Sequence, residues 1–307
     1  MVSVKNLRSI LCIFTVLLLS STEGRCADFQ KGWDAFNNRD YAIAFQEWKP
    51  LAEQGNAKAQ FLVGALYYEG QGVSQDYNEA AHWYKLAAKQ AYALAQNNLG
   101  LMYYKGQGVI QDYTLARKCL QFSAGQGVPE AQFLLGRMYY EGKGVPQNYK
   151  EAAKWLQLAA DQELAVAQTN LGLMYLKGQG VSLNYKEAFK WFKLAAEREE
   201  CIAQINLGLM YFKGRGVPQD YTEAANWYWF AADRGIPLAQ VKLGMMYEYG
   251  RGVLQDYVSA YMWYSLAASQ GHKTALEQRN IIMNKMSPSQ IDTSQELARE
   301  WLVKHRG

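Results

Sequence analysis

Carboxylates recur along this chain at one fixed spacing. Asp76, Asp112, Asn148, Asn184, Asp220 and Asp256 form one column, and Glu79, Glu151, Glu187 and Glu223 stand three residues after four of them. Two acids one helical turn apart are raw material for general acid–base catalysis. They are also what a helix N-terminus needs, because an Asp or Asn side chain accepts from the orphan amides of the first turn and a Glu at N3 can reach back. A catalytic pair is needed once, whereas these recur copy after copy, so capping accounts for them. Gly-x-Gly-Val, which resembles part of a phosphate loop, also recurs six times and is better explained as a helix stop. The chain has neither a Ser-x-x-Lys nor a Gly-x-Ser-x-Gly nucleophile motif. His82, His272 and His305 are scattered without zinc-ligand spacing. No cofactor or metal is expected, and the chemistry points away from an enzyme.

The elements that carry these residues repeat every 36 positions, without insertion or deletion. Gln60, Gln96, Gln132, Gln168, Gln204 and Gln240 begin the series. Gly64, Gly100, Gly136, Gly172, Gly208 and Gly244 follow four residues later, and Tyr67, Tyr103, Tyr139, Tyr175, Tyr211 and Tyr247 three after that. A period in this range marks a stacked repeat array rather than separate globular domains. Each copy predicts two helices. Helix A runs from about Ala57 to Tyr68 in the first copy and stops at Gly70-x-Gly72; helix B opens at the Asp/Asn column. Ala59, Gly64, Ala80 and Ala87 mark close helix approaches, and Tyr67, Tyr77, Trp83 and Tyr84 supply bulk. The stripe at 77, 80/81, 84 and 87/88 has the 3.6-residue period of a buried helix face. Aromatic columns repeated in nearly every copy are expected to be inter-repeat core rather than a ligand box.

The chain is half hydrophobic and 14% aromatic, too apolar for disorder, and its formal charge of +4 shows no basic tract suited to nucleic acid. Residues 1–27 read as a secretory signal: Lys5 and Arg8 precede an apolar run, Ile10 to Leu19, too short to span a bilayer. The expected mature protein is exported, periplasmic or secreted, without stable membrane insertion. Residues 28–55 read as an N-terminal capping half-repeat, 56–275 as six repeats and 276–307 as C-terminal capping helices. In the last of these, Ser287-Pro-Ser-Gln predicts a capping box with proline at the first helical position. Ile291, Leu297, Ala298, Trp301 and Leu302 are available there to cover the final repeat. Cys12 falls in the signal and Cys26 borders its end. Cys119 and Cys201 are expected roughly 20 Å apart from the spacing of packed helices, too far for a disulfide.

One helix A stripe (i, i+4, i+7, i+11) varies while the packing columns stay uniform. It reads Leu94, Asn98, Leu101, Lys105 in the second copy, Val166, Asn170, Leu173, Lys177 in the fourth and Ile202, Asn206, Leu209, Lys213 in the fifth. In the third it becomes Glu130, Leu134, Arg137, Glu141, and in the sixth Leu238, Lys242, Met245, Tyr249. Such variation fits a surface free of packing duty. Asn98, Asn170 and Asn206, with Lys105, Lys177 and Lys213, are therefore the candidate partner-binding residues, since an Asn amide pairs with peptide groups as both donor and acceptor. The alternative is internal: the Asn residues bond a neighbouring helix and the Lys residues snorkel at helix ends.

The pattern Ala-x-Ala-Gln-x-x-Leu-Gly-x-x-Tyr-x-x-Gly-x-Gly-Val, then Asp/Asn-Tyr-x-x-Ala-x-x-Trp-x-x-x-Ala-Ala, resembles the Sel-one-like repeat family, which is related to the tetratricopeptide repeats. The resemblance covers about residues 40–275, and the closing Met286-Ser-Pro-Ser-Gln-Ile also looks like the end of bacterial members. It implies an all-α, right-handed solenoid of helix-turn-helix repeats, capped at both ends. It further implies a non-enzymatic scaffold that binds a protein or extended peptide on a concave face lined by A helices. An envelope enzyme or binder acting on β-lactams or peptidoglycan fragments is the alternative, proposed for cysteine-rich relatives whose paired cysteines this chain lacks. Departures from the pattern are Cys119 in the Trp column, Ser123 in an Ala column, and Ala91, Glu163 and Glu199 where Gly127, Gly235 and Gly271 end helix B.

Overall fold

The computed structural model describes residues 23–305, and their side chains from Phe29 onward. Most of the stretch read as a secretory signal lies outside the described residues. Those residues form sixteen helices and no strand. The described residues divide into two compact units, the first ending at Gln162 and the second beginning at Glu163.

In the first unit, α1 (Glu23–Asn37) and α2 (Tyr41–Glu53) precede three A/B pairs. These are α3 (Ala57–Glu69) with α4 (Tyr77–Lys89), α5 (Ala93–Lys105) with α6 (Tyr113–Gly125), and α7 (Pro129–Glu141) with α8 (Tyr149–Asp161). In the second unit, three further pairs are α9 (Ala165–Lys177) with α10 (Tyr185–Glu197), α11 (Cys201–Lys213) with α12 (Tyr221–Asp233), and α13 (Pro237–Tyr249) with α14 (Tyr257–Ser269). They are followed by α15 (Lys273–Met283) and α16 (Pro288–Lys304). This is an all-α solenoid of helix-turn-helix repeats.

The Gly column sets how closely A and B approach. A Cβ on Gly64 would stand 2.9 Å from the Tyr84 ring, and on Gly208 or Gly244 2.8 Å from the rings of Tyr228 or Tyr264. The Gln column, whose role the sequence did not reveal, ties successive helices. Gln60 Nε2 donates to the Ala52 carbonyl, and its Oε1 accepts from Gln90; Gln132 repeats this with Ala124 and Gln162, and Gln240 with Ala232 and Gln270. Where Arg198 and Arg234 replace that second Gln, they pair instead with Glu163 and Glu199 at 2.8 and 2.7 Å. Those two glutamates hold left-handed backbone, at φ 65° and 61°, in a column that is glycine at 127, 235 and 271 and alanine at 91. The two departures from the repeat pattern therefore compensate one another.

The Asp/Asn column caps helix B as expected: Asp76, Asp112, Asn148, Asn184 and Asp220 each accept from two first-turn amides. The reciprocal half of the expected capping box is not made. Each cap's own N–H already donates to the Tyr carbonyl near the end of helix A (Asp76 to Tyr67, Asp220 to Tyr211, both 3.0 Å), so no donor is left for the glutamate. Glu151 and Glu187 turn to Lys154 and Lys190 instead. A complete box does form at Ser287 and Gln290, opening α16.

At the C-terminal end, α16 lies against α14. Ser294 Oγ donates to the Val258 carbonyl at 2.8 Å, and Trp301 packs edge-on to Trp263 while its Nε1 donates to Asp233 Oδ1 at 3.2 Å. Ala298 is buried, whereas Leu297 is exposed. In α1 and α2, Trp48 is fully buried among Phe29, Trp33 and Phe36.

Candidate partner-binding groove

The two units treat the variable helix A stripe differently. In the first unit it is largely filled. Leu101 and Leu134 are buried, and Tyr104 donates to Glu141 Oε2 at 2.9 Å while Lys143 and Arg137 lie over its ring. Partial burial works against ionisation of Glu141, but Lys143, Tyr104 and Arg137 outweigh it and hold its pKa below the ordinary carboxylate value. Asn98 does not face a partner. It is 1% exposed, its side chain bonds the Tyr84 hydroxyl, and it accepts from Asn97 Nδ2 at 3.2 Å. Its place in a binding ladder is thereby corrected: a hydroxyl on the preceding helix B draws it into the core. Lys105 at the end of α5 remains exposed.

In the second unit the stripe stays open. Asn170 and Asn206 are half-buried, and each donates Nδ2 to the carbonyl four residues back (Val166 at 2.7 Å, Ile202 at 2.8 Å). Lys177 and Lys213 are exposed at the ends of α9 and α11. Between α11 and α13 lies a groove of about 490 Å³. Its walls are Ile202, Ile205 and Leu209 on one side and Leu238, Met245 and Met246 on the other. Ile202 and Leu238 are 54% and 44% exposed, although both belong to well-formed helices. Three cations line the same groove, Lys213, Lys242 and Arg251, and no acid does. Other cations of this unit, such as Arg198, Arg234 and Lys285, face carboxylates; these three have none within ion-pair range among the described residues. Arg251 lies over the rings of Phe212, Tyr221 and Tyr249.

The groove floor carries a hydroxyl without a partner. Tyr84, Tyr228 and Tyr264 occupy one column of helix B and are each at most 1% exposed. Tyr84 bonds Asn98, and Tyr264 donates to Glu248 Oε2 at 2.9 Å. Tyr228 lines the groove, and its hydroxyl makes no hydrogen bond to the described residues. Burial raises all three phenols, so each stays protonated and able to donate. These environments predict opposite results for the same substitution. Tyr264→Phe strands Glu248, 2% exposed, with only Lys285 at 3.3 Å, and is expected to cost about 1–3 kcal/mol. Tyr228→Phe removes no internal bond and is expected to change stability by less than about 0.5 kcal/mol. Thermal melts of the two variants check this; equal losses would show that the Tyr228 hydroxyl has a structural partner.

The remaining chemistry-bearing residues do not converge. Cys119 and Cys201 are free thiols, and burial pushes Cys119 up to about 11. No group of three His, Cys, Asp or Glu side chains is placed to hold a metal ion among the described residues. Of the unpaired cations, Lys213 and Lys242 belong to the helix A stripe read from the sequence, whereas Arg251, just past the end of α13, was missed. Their lack of acidic neighbours depends on which helices meet, which no local spacing shows.

The Sel1 repeat profile matches residues 57–92, 93–128, 129–164, 165–199, 201–236 and 237–272. The chain belongs to the Sel1 repeat family, whose members are generally protein-interaction scaffolds. Among solved structures, it is similar to a Sel1 repeat protein from Oxalobacter formigenes, with 32% identity over 78% of this chain and 96% of that one and a TM-score of 0.72. It is also similar to c5321, a protective antigen of uropathogenic Escherichia coli with an SLR fold. That match has 32% identity over 92% of this chain and 69% of that one, and a TM-score of 0.59. No curated protein sequence matches the chain.

Proposed function

We propose that this chain is a non-enzymatic, exported scaffold that binds an extended segment of another protein on the helix A face of its second unit. The observation that carries this reading is the groove between α11 and α13, where apolar side chains stand exposed on helices whose other faces are fully packed. Exposed apolar surface gathered into a groove, rather than scattered singly, marks an interaction site. Asn206 and Lys213 line it, so two of the sequence-derived candidates belong to the binding surface, with Asn170 and Lys177 on the same stripe of α9. Export rests on the signal-like residues 1–27.

The test is capture of a partner by crosslinking in cells, using the natural chain beside an Ile202→Asp/Leu238→Asp double variant. Both positions are exposed, so the variant is expected to melt within a few degrees of the natural chain. A specific protein captured by the natural chain and reduced at least tenfold with the variant is the expected result. Equal capture by both would remove the groove from the account.

A further inference from the structure

The groove has a chemical signature that narrows its occupant, on the premise that it is the binding site. Its walls are apolar, all its charges are positive and without a carboxylate partner among the described residues, and its floor offers one hydroxyl, Tyr228, that opens to the groove and makes no hydrogen bond to the described residues. Charges left unpaired beside an apolar surface favour an anionic partner, because complementary potential steers encounter and fixes register. The cations are also spread out. Lys242 lies in the second turn of α13 and Tyr249 at its end; at 1.5 Å per residue these are about 10 Å apart. Arg251 follows immediately after. A single carboxylate cannot address both ends of such a span, whereas an extended chain covers it in about three residues at 3.3 Å each. Depth adds a further requirement. Tyr228 lies among Ile205, Leu209 and Met246, where an ionised group would be desolvated, so its hydroxyl suits a neutral acceptor such as a backbone carbonyl.

We propose that the occupant is an extended acidic segment of a protein partner. One of its apolar side chains sits between α11 and α13, a carboxylate on each side of that residue meets Lys242 and the Lys213/Arg251 end, and a main-chain carbonyl accepts from Tyr228. No covalent step is involved. Burial of the apolar anchor supplies the affinity, the cations select against neutral and basic segments, and the tyrosine fixes depth.

The experiment is a display selection of random twelve-residue peptides on the purified full chain, followed by fluorescence anisotropy with the enriched peptides. Peptides with an apolar residue flanked by Asp or Glu within about three positions are expected. Replacing either acid by its amide should weaken binding about three- to tenfold, as should Lys242→Glu or Arg251→Glu. Tyr228→Phe should weaken it about fivefold, the worth of one hydrogen bond, with no change in melting temperature. Enrichment of neutral or basic peptides whose binding is lost with Leu238→Asp would overturn the acidic-segment proposal and leave the groove standing. Binding that survives Leu238→Asp would overturn both. Failure to enrich any peptide, with laurate bound by the natural chain and not by Leu238→Asp, would replace the protein segment with an anionic amphiphile. If neither peptide nor laurate binds, the proposal falls.

Discussion

Gly252→Ala is expected to destabilise this chain by about 3 kcal/mol or more, whereas Gly271→Ala costs only about 1 kcal/mol. Both glycines hold left-handed backbone, at φ 71° and 83°, so both substitutions carry the strain of an L side chain in that region. They differ in what surrounds them. A Cβ on Gly271 meets nothing within 4 Å. A Cβ on Gly252 would stand 2.1 Å from the Tyr221 carbonyl oxygen and 2.6 Å from the Thr222 nitrogen, atoms of the first turn of α12. Backbone in a packed helix cannot swing aside as a flexible side chain can. The loops after α3, α5, α7, α11 and α13 each lie directly on the start of the preceding B helix, and this contact makes the second Gly of Gly-x-Gly necessary there. Thermal melts of the two variants should differ by about 4 °C or more. Equal losses would mean that φ alone explains the glycine and that the loop contact is loose.

Removing residues 288–307 is expected to lower the melting temperature by about 6 °C or more, from a loss of at least about 3 kcal/mol. Helix α16 covers the outer side of the last repeat: Trp301 packs on Trp263, Ser294 bonds the Val258 carbonyl, and Ala298 is buried. Without it, Trp263 and Leu266, now 5% and 2% exposed, lose that cover, and Asp233 loses its bond to the Trp301 indole. An array of repeats depends on such ends because each repeat buries its apolar face only against a neighbour. Hydrogen exchange should quicken first in α14 and α15. A shortened chain that melts as high as the whole one would show that α16 merely decorates the end.

Much of this architecture was legible because it is local. The Gly stops, the Asp/Asn caps and the 3.6-residue stripes act within a few residues of themselves, and the 36-residue period multiplies each signal six times. What depended on partners from other helices was harder to read. Asn98 and Asn206 occupy the same column and look alike in the sequence. One period after Tyr84, which bonds Asn98, stands Leu120, and the residue in that column before Asn206 is Phe192, which has no hydroxyl. A hydroxyl one helix earlier thus decides whether the amide turns inward. The capping box failed for a similar reason, since the N–H it needed was already given to a tyrosine carbonyl across the loop. The exchanges of Gly for Glu163 and Glu199 and of Gln for Arg198 and Arg234 were visible as departures. Only their meeting across 35 residues shows that they belong together.

The central claim is that partners dock on the helix A groove of the second unit rather than on its B helices. The most direct measurement places a photo-crosslinking amino acid at Leu238 in one chain and at Phe230 in another, both exposed positions. Irradiation in cells follows. The account predicts a discrete crosslinked protein from position 238 and none from 230. The same protein crosslinked from 230 alone would contradict it and move the site to the aromatic patch of Trp229 and Phe230 on α12.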